Sequence, residues 1–152
     1  MQIRTLLAGT FMLASLAGCA TGQMDQTDGE VIDQMAHYEG TLPCRNCAGI
    51  DIDVELDGTE DGAAADRTFN LNASYREHPQ NPPDETYTGQ WSVLTGTPVD
   101  PEATVYELTP QGEGQIYYFL KIDPNTLELI DPQRRRFQNR DMLQLKRQSA
   151  SQ

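Results

Sequence analysis

Between residues 36 and 147 apolar and polar side chains alternate with a period of two, the pattern of strands that keep one face in a core and the other in water. The clearest run is 48–56, AGIDIDVEL, where Ile50, Ile52, Val54 and Leu56 fall on one face and Asp51, Asp53 and Glu55 on the other. Residues 67–75 repeat it with Phe69, Leu71, Ala73 and Tyr75, and 86–94 with Tyr87, Gly89, Trp91 and Val93. Further strands are expected at 36–41, 103–109, 115–122, 126–131 and 140–147, each bounded by Gly, Pro, Asn or Asp. No stretch between them carries a helical period. The chain therefore reads as all-β, with seven or eight antiparallel strands joined by short turns. A sheet this long must close or stack to hide its apolar faces and its edges, and short sequential turns favour a small up-and-down barrel over a sandwich.

Residues 1–18, MQIRTLLAGTFMLASLAG, differ from the rest: one basic residue, Arg4, no acid, and an apolar stretch from about Thr5 to Leu16. That is a secretory signal, too short to span a bilayer. It ends in Leu16-Ala17-Gly18-Cys19, which resembles the lipobox of bacterial lipoprotein precursors. The resemblance implies a diacylglycerol on the Cys19 thiol, cleavage before it, and attachment to a membrane through two or three acyl chains. Ala20 is not the Asp that typically retains such proteins at the inner membrane, so by analogy the anchor lies at the periplasmic face of the outer membrane. Residues 19–35 are polar and acidic and read as a flexible tether of at most ~50 Å reach. The barrel is expected over 36–148, followed by a short tail at 149–152.

The 152 residues hold 23 acidic and 11 basic side chains, a net charge of -12. Nucleic acid is excluded as a partner, because binding it needs clustered cations to neutralise phosphates. The single dense basic run, Arg134-Arg135-Arg136, is too short for that and reads as an exposed turn.

With Cys19 committed to lipid, Cys44 and Cys47 remain as a C-x-x-C pair. In thioredoxin-like enzymes such a pair opens a helix whose N-terminus stabilises a thiolate. Here Pro43 precedes it and the strand with Ile50 follows, so the oxidoreductase reading loses its physical basis and no catalytic residue is assigned. Two readings stay open. An oxidising compartment closes paired thiols into a structural disulfide. Alternatively, two thiolates hold a soft cation, Cu(I), with Met35 and His37 as auxiliary ligands should the first strand pair beside the motif. Interchange between the two states would make the pair a sensor.

The run Tyr38-x-Gly40-x-Leu42-Pro43-Cys44-x-x-Cys47-x-Gly49-Ile50 resembles the signature of the NlpE N-terminal domain family of copper-resistance and envelope-stress lipoproteins. Gly89-Gln90-Trp91, the Leu127 to Asp131 turn and Leu143-x-Leu145-x-Arg147 are similar to later pieces of that family. The resemblance covers roughly 38–147. It implies a lipocalin-like barrel tethered by lipid, linked to copper homeostasis and to proteins that sense envelope stress or traffic lipoproteins. Family members often carry Ala-Asp between the cysteines where this chain has Arg45-Asn46, a cation beside a proposed cation site. Larger members add a second barrel, which this sequence lacks through Gln152.

The remaining candidates have simpler readings. Asp51, Asp53 and Glu55 lie on a straight strand, not in the Gly-centred turn of a calcium loop, and form a solvated face. His78 has no nucleophile pattern beside it. Trp91, Phe69, Tyr117, Tyr118 and Phe119 are core or rim packing, or the lining of a cavity, since about eight strands is the size at which a barrel begins to hold a ligand. The competing function is thus a lipocalin-like carrier of a small apolar ligand with a purely structural disulfide.

Overall fold

The computed structural model describes residues 35–149. The signal, Cys19 and the tether up to residue 34 lie outside the described residues, as do 150–152 of the tail.

Eight strands follow one another: β1 (Met35–Leu42), β2 (Gly49–Asp57), β3 (Thr68–Arg76), β4 (Glu85–Thr95), β5 (Thr104–Pro110), β6 (Tyr117–Asp123), β7 (Thr126–Ile130) and β8 (Gln144–Arg147). Each pairs antiparallel with the next, and β8 returns to pair with β1, Tyr38 opposite Arg147 and Glu39 opposite Lys146. The sheet is a closed up-and-down barrel with no free edge, as the alternation predicts. Outside the strands the described residues hold only two single-turn 3-10 helices, at Ala64–Asp66 and Arg140–Met142. The second of these shortens the expected last strand, because its first residues complete the long β7–β8 connection instead of pairing.

The inward set is the predicted one. Val54, Leu71, Leu108, Phe119, Leu127 and Leu145 are wholly unexposed and fill the centre of the barrel. Trp91 closes the packing beside Tyr106, ring centroids 5.0 Å apart, while its Nε1 donates to the Asp57 carbonyl over 2.7 Å. A smaller cluster of Val105, Leu120 and Ile130 sits on the outer face of β5–β7. Such a face would normally meet water. It is covered because the β7–β8 connection folds back over it: Arg136 bridges to Ile130, and Arg134 Nη1 donates to the Thr95 and Gly96 carbonyls over 3.0 and 2.9 Å. The arginine run is therefore not a free basic turn. Arg134 holds the connection down, Arg135 pairs with Asp131, and Arg136 with Glu128.

Candidate functional site

The six-residue connection 43–48 between β1 and β2 carries both cysteines at one end of the barrel. Pro43 ends β1, since it has no N–H to give the ladder. Gly49 starts β2 at a point where a Cβ would lie 2.6 Å from Thr41 Cγ2, so any side chain there would have to displace the Thr41 methyl for the returning strand to close on β1. The result is a tight bend held from the side by the Ala48 N–H donating to the Arg76 carbonyl over 2.9 Å. Within it Cys44 and Cys47 form a disulfide, Cα atoms 5.3 Å apart. Both cysteines are half-buried, and Arg45 and Asn46 between them are exposed. The bridge thus sits at the barrel rim, outside the packed core, with no helix N-terminus near it among the described residues.

Below the bend the barrel mouth opens into a pocket of about 320 Å³. Its walls are Leu42, Pro43 and Ile50 from the cysteine hairpin and Tyr75, Tyr87 and Tyr117 from the next strands. One carboxylate enters it. Glu85 accepts hydrogen bonds from Tyr75 over 3.2 Å and from Tyr87 over 2.8 Å. The bond to Glu85, then burial, pushes the Tyr87 hydroxyl up to about 12, and burial followed by the same carboxylate raises Tyr75. Both tyrosines therefore stay protonated donors at neutral pH, and the pocket presents aromatic rings around a carboxylate that is already satisfied.

The auxiliary ligands expected for a thiolate site are elsewhere. Met35 pairs with Asp57 and His37 with Glu55, toward the end of the hairpin remote from the cysteines. At about 3.3 Å per residue, the five residues from His37 to Leu42 alone span about 17 Å. The first strand does pair beside the motif, but it carries these two side chains away from it. His37 instead turns its Nε2 to Asp53 Oδ2 at 2.7 Å and Glu39 Oε1 at 3.5 Å on the outer face. The neighbouring Asp51 accepts from the Thr41 hydroxyl over 2.7 Å and pairs with Arg76 Nε at 2.5 Å. The Thr41 bond, joined by Arg76 against the opposing effect of burial, holds its carboxyl below the usual aspartate value.

The opposite end of the barrel holds a group that the alternation does not reveal. Glu60, in the polar turn after β2, folds over the barrel end and accepts from the Tyr106 hydroxyl and the Lys121 ammonium. These line a cavity of about 250 Å³ with Tyr38 and Arg147. Burial works to raise the Glu60 carboxyl, and the Lys121 and Tyr106 bonds reverse it, leaving the group below its ordinary value. Burial and Glu60 together raise the Tyr106 hydroxyl strongly. The signal was present in Lys121: it occupies an inward position of β6, where a lysine needs a carboxylate.

A family model described as the NlpE N-terminal domain matches residues 38–140, about two thirds of the chain. Comparison with curated proteins and with solved structures gives no match.

Proposed function

The chain belongs to the NlpE N-terminal domain family, and from that premise we propose that it is a non-enzymatic, lipid-anchored envelope protein of copper homeostasis and envelope stress, in which the barrel presents the Cys44/Cys47 pair. The observation that carries this reading is the placement of the disulfide: at the rim, half-buried, flanked by exposed residues and outside the core cluster. A bridge serving only to hold the barrel would be expected to tie elements that the ladder does not already join, whereas this one spans three residues inside one hairpin bend. Two electrons and two protons from an external dithiol, which is itself oxidised to a disulfide, turn it into two thiols. These release protons on coordinating Cu(I), a soft cation suited to thiolate. The anchor would be the lipid on Cys19, holding the domain at the periplasmic face of the outer membrane, with stress-sensing or lipoprotein-trafficking proteins as partners.

Titration of the reduced protein against a colorimetric Cu(I) chelator tests the metal role. Binding near one equivalent that Cys44→Ser abolishes supports it, and unchanged binding in that variant rejects it. Release of the Cys19→Ala protein from the membrane fraction tests the anchor.

A second reading, the carrier of a small apolar ligand, is favoured by the aromatic mouth pocket of about 320 Å³. The filled barrel centre leaves no room for a ligand deep inside, so the carrier reading is confined to a short apolar group seated at the mouth. Displacement of an environment-sensitive fluorophore by fatty acids of graded length distinguishes it.

A further inference from the structure

The outer face of the β1–β2 ladder brings together three side chains that neither the disulfide nor the mouth pocket uses. Alternation on β1 turns His37 and Glu39 outward two residues apart, and the register sets Asp53 of β2 directly opposite Glu39. Glu55 lies opposite His37, so three carboxylates surround one imidazole. Like charges placed directly across a ladder destabilise it. Lys146, opposite Glu39 on β8, donates its ammonium to Thr126 Oγ1 over 2.9 Å. The Glu39–Asp53 repulsion therefore stays uncompensated by that lysine.

We propose that His37, Glu39 and Asp53 form a site for one divalent transition cation of the Zn²⁺ type, separate from Cys44 and Cys47. One donor atom from each residue lies within 4.8 Å of the other two, and the shortest approach is 2.7 Å. A tetrahedral ion with ligands at about 2.0–2.2 Å needs its donors about 3.3–3.6 Å apart. Adjusting to that is a matter of side-chain rotation, because the backbone is fixed by two neighbouring strands. One imidazole nitrogen and two carboxylate oxygens suit Zn²⁺ and its divalent neighbours. They offer no sulfur to select Cu(I). Three protein ligands leave a fourth position for water or an incoming donor. An open groove of about 470 Å³, lined by Glu39, Asp53, Asn72 and the Asp51–Arg76 ion pair, runs alongside and gives that position access to solvent. All three ligands are partly exposed, 34% for His37, 50% for Glu39 and 38% for Asp53, so an ion can enter without opening the barrel.

The test is calorimetric titration of the oxidised protein with Zn²⁺, its disulfide intact so that no thiolate can bind. Saturation near one equivalent is expected. His37→Gln and Asp53→Asn should each weaken binding at least about tenfold, with Glu39→Gln as a third probe, and Co²⁺ substitution should give visible absorption that His37→Gln removes. The Cys44→Ser/Cys47→Ser double variant should bind Zn²⁺ as the parent does. Absence of saturable binding up to millimolar Zn²⁺, or equal affinity in His37→Gln, overturns the proposal. Neither result bears on the Cu(I) titration, which uses the reduced cysteines.

Discussion

The guanidinium of Arg136 meets the carboxylate of Glu128 side-on, Nε and Nη2 each donating over 2.7 Å to a different oxygen of a glutamate side chain that is 0% exposed. Glu128 faces out from β7 between strands, where water would normally solvate it; the folded-back β7–β8 connection brings Arg136 over it, and the Gln144 side chain of β8 donates to it over 3.5 Å. Removing Arg136 would strand a buried charge. Arg136→Ala is expected to cost about 3 kcal/mol in urea unfolding, the lower end for a buried pair because the arginine is itself one third exposed. The double change Arg136→Met with Glu128→Leu should recover most of that loss, since replacing both partners leaves nothing unpaired. A single Arg136→Ala variant as stable as the parent would sink this account.

The barrel was legible because every long strand signals the same thing. Ile50 to Leu56 and Phe69 to Tyr75 alternate without interruption, and short turns leave only the next strand to pair with. What stayed hidden depends on long-range folding back. The arginine run looks like an exposed turn until Glu128 and the Thr95 and Gly96 carbonyls are placed beneath it. Glu60 looks like an ordinary turn residue until Lys121 arrives from sixty-one positions later. The cysteine bend was legible in position and in its lack of a helix. Met35 and His37 were close in sequence, but strand geometry moves them roughly 3.3 Å away with every residue.

Glu60 gives the barrel end a pH dependence of defined sign. Its carboxyl titrates below the ordinary 4.5: burial opposes ionisation, but the Lys121 and Tyr106 bonds outweigh it. A depressed folded-state value means that the contribution is fully present above pH 4.5 and is lost as pH falls through the lower folded value. The parent should therefore be more stable than Glu60→Gln at pH 7, and the gap in urea midpoint should narrow as the pH falls below 4.5. Asp51 and Asp131 are shifted in the same direction in both proteins and cancel in that difference. A gap independent of pH would contradict the role given to Glu60.

Closure of the barrel passes through Gly40. A Cβ there would lie 2.6 Å from the Gln144 carbonyl oxygen and 2.6 Å from Leu145 Cδ2, so β8 approaches β1 only where a side chain is missing. The β1–β8 ladder is short, with two register pairs, and has little to spare. Gly40→Ala should cost about 2 kcal/mol through overpacking. It should also speed amide hydrogen exchange in Gln144–Arg147 more than in β3 or β4. Uniform exchange across the sheet would show that β8 tolerates the extra carbon.

Reduction of the disulfide separates its two readings energetically. Closing the small ring between Cys44 and Cys47 restricts the unfolded chain by ~2 kcal/mol at most on the chain-entropy model. The bend is also held without it, by Ala48 donating to Arg76 and by the Leu42–Ile50 register of the hairpin. The Cys44→Ser/Cys47→Ser protein, and the parent in excess reductant, should therefore keep their far-ultraviolet circular dichroism and lose only a few degrees of Tm. Under those conditions the thiols become available while the barrel stays folded, which the Cu(I) role requires. A loss above about 4 kcal/mol, or collapse of the fold on reduction, would make the bridge a structural clamp. It would leave no folded reduced state to receive a metal.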